Sequence, residues 1–301
     1  MQNLNFMVGS FSYMPDSLTN LEKRIRAHKE QLRWLESLGI DFEFYRVESA
    51  WGEVANSDSE LKPNLRYKPI IEGAHPCGCN RSILLDHFYE TDYDWLVCLD
   101  DDRMLYPHYN PRNFFLDLGT EPFIQLAKEG SLIVCLDPIY MPFKKMNYEW
   151  EHHETHWRIT HEVIHGCLQV SFIPNLKKYG YKPIFFDRVT RAQENEPPED
   201  LKFEVDWLFE NHPILKCTQL IMKEIGQTSG NGSTIYKDLE ARRVVEATQG
   251  QWLTSYLKEK APRNPELWDK KKMNSRKNPK FTRLVPRSER YIFKDTELPR
   301  K

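Results

Sequence analysis

Trp95-Leu96-Val97-Cys98-Leu99-Asp100-Asp101-Asp102-Arg103-Met104 is the stretch whose reading decides the fold. Five apolar residues in succession, rich in β-formers and too few for an ordinary helix, predict a strand buried on both faces that runs directly into three carboxylates. In an open α/β sheet, ligands bind outside the carboxyl ends of the strands. Two aspartates one residue apart at such an end, Asp100 and Asp102, can share one divalent cation. Mg²⁺ and Mn²⁺ take oxygen ligands and keep positions for water or substrate phosphates, which makes a nucleoside diphosphate the natural co-ligand.

Upstream of this stretch, residues 4 to 9 read as a first strand, followed by the loop Gly9-Ser10-Phe11-Ser12-Tyr13-Met14-Pro15. Leu18, Leu21, Ile25, Leu32, Leu35 and Leu38 recur at helical spacing, Ser17 or Thr19 offers an N-cap, and Gly39 a stop. The polar face of that helix is basic, with Lys23, Arg24, Arg26, Lys29 and Arg33. Phe42 to Val47 supplies the second strand and completes a βαβ unit, which favours a parallel sheet. Residues 49 to 76 are polar and turn-rich, and a second helix is expected from about Cys79 to Tyr89, with Asn80, Arg81 and Asp86 toward its opening.

Downstream, a loop over 106 to 111 leads to a helix near 122 to 129 and a buried strand, Leu132 to Leu136. Residues 144 to 161 are dense in aromatics and histidines, but their spacing matches no zinc site, and a polar, aromatic segment facing a substrate suits them better. Strands are expected at 165 to 173, 181 to 186 and 214 to 222. Pro197-Pro198-Glu199-Asp200 marks the start of a helix with Leu201, Val205, Leu208 and His212 on its buried face. Gly226 to Thr234 is a small-residue loop without the Gly-Lys-Ser/Thr of a Walker motif, and residues 238 to 260 look helical.

An apolar strand ending in Asp100-Asp101-Asp102 resembles the Asp-X-Asp metal signature of GT-A-fold glycosyltransferases, which use sugar nucleotides, and the resemblance spans roughly residues 4 to 210. It implies an α/β fold with a GT-A-like, Rossmann-type, mostly parallel sheet flanked by helices and a basic C-terminal extension. The catalytic domain would occupy 1–262, about 1–102 as the nucleotide-sugar half and 103–262 as the acceptor half, with the extension at 263–301. The same resemblance implies Mn²⁺ or Mg²⁺ on Asp100 and Asp102, and a UDP-sugar donor contacted through Gly9, Ser10, Glu48, Arg81 and Asp101. It implies Glu199 and Asp200 as the acids that orient or deprotonate the acceptor hydroxyl, although acids in a first helical turn also complement the helix dipole. In many members a late histidine adds a third metal ligand. After Asp200 only His212 exists, on the apolar side of its helix.

Charge patterning bears on the acceptor. Residues 270–301 hold twelve Lys or Arg against three acids, in a chain whose overall net charge is −2. Phe281, Tyr291 and Phe293 are interleaved with these cations, a composition that neutralises phosphates and stacks bases. The pattern is similar to that of bacteriophage enzymes that glycosylate hydroxymethylated cytosine in DNA, which makes DNA the expected acceptor and the protein a hexosyl- or pentosyltransferase. A saccharide or protein acceptor is the alternative, as is a non-enzymatic nucleic-acid-binding protein. No run of eighteen apolar residues is present and the amino terminus lacks a signal peptide's features, so no membrane contact, no obligatory protein partner and a cytoplasmic location, in a host cell if phage-encoded, are expected. Six cysteines are too few for a disulfide scaffold, and Cys98, Cys135, Cys167 and Cys217 read as buried thiols.

Overall fold

β1 (Phe6–Phe11), α1 (Leu18–Ser37) and β2 (Glu43–Glu48) form the expected opening unit, with β1 and β2 parallel and Val8 opposite Phe44. The structure is a computed structural model, and it describes residues 4–11, 18–48, 66–67, 71–72, 77–101, 103–105, 111–136, 157–160, 167–186, 199–210 and 212–224. Asp102, the loop at 226–234, the helix expected over 238–260 and the basic extension fall outside the described residues, as do most of 49–76 and of 144–161. Strand alternation sorts the apolar side chains onto two faces. Phe6, Val8, Phe42 and Phe44 pack with Leu32 and Leu35 of α1, whereas Met7, Phe11, Tyr45 and Val47 belong to the core on the other face.

Two short strands, β3 (Arg66–Tyr67) and β4 (Ile71–Glu72), pair in parallel with β2. α2 (Cys77–Tyr89) then covers the second face, contributing Leu84, Leu85 and Phe88, and leads to β5 (Trp95–Asp100). β5 pairs in parallel with β1 on the side away from β2, with Phe6 opposite Trp95 and Phe11 opposite Asp100. The chain therefore leaves β1 in one direction toward β2 and returns to its other side. This is a topological switch point, where doubly wound sheets open a crevice at their carboxyl edge.

The second half comprises β6 (Arg103–Leu105), α3 (Pro111–Asp117), α4 (Glu121–Lys128), β7 (Leu132–Leu136), β8 (Trp157–Thr160), β9 (Val170–Pro174), α5 (Glu199–Phe209) and β10 (Ile214–Glu224). The ten described strands run β3-β2-β1-β5-β9-β7-β10-β6, with β4 also on β2 and β8 on β10. β7 and β10 are parallel, but β9 is antiparallel to both β5 and β7. A single 3-10 turn, Cys167–Gln169, feeds β9 from the carboxyl edge of β5, so β9 must run back down the sheet. Among the described residues no helix is long and apolar enough to cross a membrane.

Residues 181 to 186 differ from expectation, for they form no strand. Two of their main-chain carbonyls are met by α2 side chains instead of a ladder: Tyr89 Oη donates to Ile184 O at 3.1 Å and Ser82 Oγ to Phe186 O at 2.7 Å. α3, read as loop and connection from the sequence, starts at Pro111 and buries Phe114 and Phe115. Pro at a first helical position costs no hydrogen bond, which is why the same residue can be taken for a loop.

The edge opposite the crevice is closed by polar groups that take up loop carbonyls. Asn175 Nδ2 donates to Phe88 O, Thr91 O and Tyr93 O at 3.3, 2.9 and 3.1 Å, fixing the turn between α2 and β5. Asp94 in the same turn accepts from Tyr179 Oη and pairs with Lys178 Nζ at 2.5 Å.

α2 can lie this close to the sheet because β1 carries a glycine. A Cβ at Gly9 would stand 2.6 Å from Leu84 Cδ2 and 2.7 Å from Leu84 Cδ1, inside the contact limit. Leu84 is fully buried, so it has little room to retreat. Gly9→Ala should cost about 1–3 kcal/mol of unfolding free energy in urea titrations, the range for overpacking, and much less in a Leu84→Ala background. Additive losses would show that the two positions do not compete for the same space.

On the α1 face, His28 lies within a tilted 6.4 Å centroid distance of Phe44, near Arg46 of β2, and both His28 and Arg46 are buried. Burial first, then the Arg46 charge, holds the His28 pKa well below the usual histidine range. Because the folded value is depressed, the stability His28 contributes is complete above its unfolded pKa of about 6.5 and is lost as the pH falls below it. Asp117 acts oppositely, as desolvation lifts its carboxyl to about 6. Stability should fall less between pH 7 and pH 5 in His28→Leu than in the unaltered protein, a comparison in which Asp117 cancels. Equal slopes would mean that His28 takes up its proton equally in the folded and unfolded states.

Candidate active site at the carboxyl edge

Asp100 ends β5 opposite Phe11, and alternation turns it to the α2 face with Leu96 and Cys98. Arg81, from the first turns of α2, meets it there: Nη2 lies 3.0 Å from Asp100 Oδ1, with side-chain exposures of 6% and 18%. The Arg81 guanidinium carbon is 4.5 Å from the centroid of the Phe11 ring and 5.2 Å from that of Phe186, so aromatic faces flank the cation where water would otherwise solvate it. One pleat below, burial pushes the Cys98 thiol up to about 12, with Arg81 lowering it and Asp100 raising it by smaller amounts. Cys98 is thus a packed, unreactive thiol, as is expected of a cysteine in apolar surroundings.

α5 begins toward the same edge. Phe203 stacks on Phe186 with centroids 4.0 Å apart and planes 5° from parallel, and Phe186 in turn faces Arg81. At the other end of the helix, Trp207 Nε1 donates to Gly130 O at 3.0 Å, beside the starts of β7 and β10. α5 therefore runs antiparallel to those strands, and its first turn, with Glu199 and Asp200, lies toward the edge that Asp100 occupies. Pro197-Pro198 and the acids at the helix start are the sequence features that set this end.

The remaining expected residues are placed as follows. Gly9 is inside β1 against Leu84, and Ser10 is fully buried on the α1 face, its Oγ donating to Gln31 Oε1 at 3.4 Å. Glu48 closes β2 in register with Glu72. Asp101 is in the turn after β5 and only 3% exposed. Asp102 lies outside the described residues. His212 is at the opposite edge, immediately before β10, where its ring meets Tyr181 edge-on at 4.7 Å and burial lowers its pKa. His212 is therefore not beside Asp100.

Sequence reading missed Phe11, Phe186 and Gln31. Gln31 Nε2 donates to Asp100 O and to Arg103 O, each at 2.6 Å. A signal was present: His28, Gln31, Leu32 and Leu35 share one helical face, and a buried amide on an apolar stripe requires partners. As for a cation, Asp100 and Asp101 offer only carboxylate oxygen, the donor type that Mg²⁺ and Mn²⁺ take. Among the described residues no group of three His, Cys, Asp or Glu side chains is arranged to hold a metal.

No family model matches the chain, and no curated protein does. Among solved structures it is similar to residues 1–349 of S. aureus TarS in complex with UDP-GlcNAc, at 12% identity and a TM-score of 0.39 over 89% of this chain and 78% of that one. It is also similar to a glycosyltransferase involved in glycosylation of the major capsid of PBCV-1, at 13% identity and a TM-score of 0.36 over 81% and 98% of the two chains. The chemistry assigned below rests on the site's own geometry.

Arg81→Ala leaves the Asp100 carboxylate largely buried beside an aromatic void and should destabilise the fold by about 3 kcal/mol, the scale for breaking a buried pair from one side. The apolar double replacement Arg81→Met with Asp100→Leu should recover most of that loss in the same chemical denaturation experiment. A double variant as unstable as the single one would show that Arg81 acts through partners other than Asp100.

Proposed function

We propose that the chain is a divalent-metal-dependent glycosyltransferase that moves a sugar from a nucleotide-sugar donor, a UDP-sugar in our reading, to a hydroxyl acceptor. The observation that carries this is the Arg81–Asp100 pair at the switch point between β1 and β5, at the head of an Asp-Asp-Asp run, with the first turn of α5 toward the same edge. Crevices of this kind take nucleotides, and carboxylates beside them take the cation that a diphosphate brings.

In this reading Asp100 and Asp102 hold Mn²⁺ or Mg²⁺, which supplies Lewis-acid stabilisation of the departing diphosphate. Arg81 adds fixed positive charge where negative charge develops, and the flanking Phe11 and Phe186 keep water from weakening it. The acceptor oxygen forms a bond to the anomeric carbon, and the bond from that carbon to the phosphate oxygen breaks with its electron pair passing to the nucleotide. With inversion, the hydroxyl proton passes to a carboxylate on the acceptor side, for which Asp200 is our candidate and Glu199 the residue that orients the hydroxyl. Glu48, Gly9, Ser10 and Asp101 are assigned to the nucleotide.

For the acceptor we propose hydroxymethylated cytosine in DNA, on the strength of the twelve cations and interleaved aromatics of residues 270–301. The test is release of free nucleotide from a panel of sugar nucleotides with Mn²⁺ or Mg²⁺, with and without hydroxymethylcytosine DNA. DNA-stimulated release that disappears in Asp102→Asn is the expected result. Release indifferent to DNA would retain the transferase and remove the DNA acceptor, in favour of a saccharide or protein. No release from any donor would overturn the enzymatic reading.

A further inference from the structure

Asp100 and Asp101 stand where the chain passes from β5 toward β6. β5 ends at Asp100 and β6 begins at Arg103, and the chain there leaves the β1–β5 pairing to run beside β10, where Arg103 lies opposite Glu224. Such a departure exposes main-chain carbonyls on both sides of the turn, and the direction they take fixes where the intervening side chains leave the sheet.

Gln31 meets this requirement from α1. Its Nε2 carries two N–H groups, and they go to Asp100 O and Arg103 O, the last carbonyl of β5 and the first of β6, at 2.6 Å each. Both carbonyls can only accept, which sets the nitrogen toward the turn, and Oε1 accepts from Ser10 Oγ of β1 at 3.4 Å. Gln31 and Ser10 are both fully buried, so neither bond is shared with bulk water. One side chain thus ties together β1, the end of β5 and the start of β6.

We propose that Gln31 is a positioning residue of the site, tying the end of β5 to the start of β6 so that the Asp100 and Asp101 carboxylates are held where a cation can meet them. The metal part of this statement rests on the function proposed above, whereas the clamp does not. An apolar residue of similar size here removes the donor of both part-buried carbonyls, and a glutamate has the shape but at neutral pH lacks both donors.

The test uses the full chain with Gln31→Leu and, should that variant fold poorly, the near-isosteric Gln31→Glu. Two quantities are read on folded protein: amide hydrogen exchange across residues 99–105 without ligand, and Mn²⁺ affinity with the metal alone. The expected result is faster exchange confined to 99–105, with β1 and β2 unchanged, together with a loss of Mn²⁺ affinity of about 10–100-fold, the scale for residues that orient metal ligands. With Gln31→Glu, acidification that protonates the carboxyl should return part of the protection, because one donor is restored. Exchange no different from that of the unaltered protein would overturn the clamp. Faster exchange with undiminished Mn²⁺ affinity would leave Gln31 a structural residue and overturn its role in positioning. If the unaltered protein binds no Mn²⁺ while Asp102→Asn is equally inert, the metal reading fails, and the exchange result still decides whether Gln31 holds the turn.

Discussion

An arginine and an aspartate withdrawn from water together set the terms for the rest of this structure. The Arg81–Asp100 pair gains Coulomb energy only if both groups are brought to hydrogen-bond distance, because desolvation otherwise exceeds the attraction. α2 must therefore approach the sheet closely, and the approach is possible because β1 presents Gly9 where Leu84 descends. The same descent places Arg81 one turn earlier over Phe11 and against Phe186. A backbone position without a Cβ and a charged pair at the edge are thus two ends of one packing decision. Such a pair adds little net stability compared with apolar residues of equal volume, so its value lies in holding charge at a fixed place.

The two edges of the sheet divide the work. At the edge where β5 and β7 begin, side chains terminate the carbonyls of loops: Asn175 takes three, Tyr181 Oη takes Lys128 O, and Trp207 takes Gly130 O. Gly130, at φ +71, stands where a Cβ would lie 2.4 Å from His212 Nδ1, so that corner admits neither a side chain nor a mobile loop. At the carboxyl edge the polar groups are charged and the strand ends diverge, β5 into the carboxylate turn and β9 out of its 3-10 turn. Rigid closure at one end allows the other to carry irregular, polar structure without unravelling the sheet.

How far the chain could be read from its sequence follows from what each signal reports. The period-2 and period-3.6 patterns of residues 4 to 47 report local burial, and β1, α1 and β2 appear as that pattern requires. The five apolar residues before Asp100 report burial on both faces, and β5 is buried throughout that run. Direction is not local: Val170 to Pro174 has the same composition whether it runs up or down, and β9 runs down. Residues 181 to 186 look like a strand because Ile184 and Phe186 alternate inward, yet Ser82 and Tyr89 supply the hydrogen bonds that a neighbouring strand would have given. In the site, Asp100 and Arg81 could be read because charge beside an apolar run is conspicuous. Gln31 could not be assigned a partner, since its two carbonyls lie 69 and 72 residues away.

In the proposed reading, the charge at the carboxyl edge itself argues for a cation. Asp100 and Asp101 stand there with the first turn of α5 toward the same edge, while Arg81 is already committed to Asp100. A nucleoside diphosphate entering this crevice alone would meet like charge, and two unit charges 4 Å apart at an effective dielectric of 20 repel by about 4 kcal/mol. A divalent ion reverses that sign locally, becoming the largest charge in the site. A polyanionic acceptor faces the same repulsion over a longer range, where the ion's effect is screened. In that reading the ion would admit the donor, and residues 270–301, with their surplus of Lys and Arg, would hold a phosphate backbone that the acids alone repel.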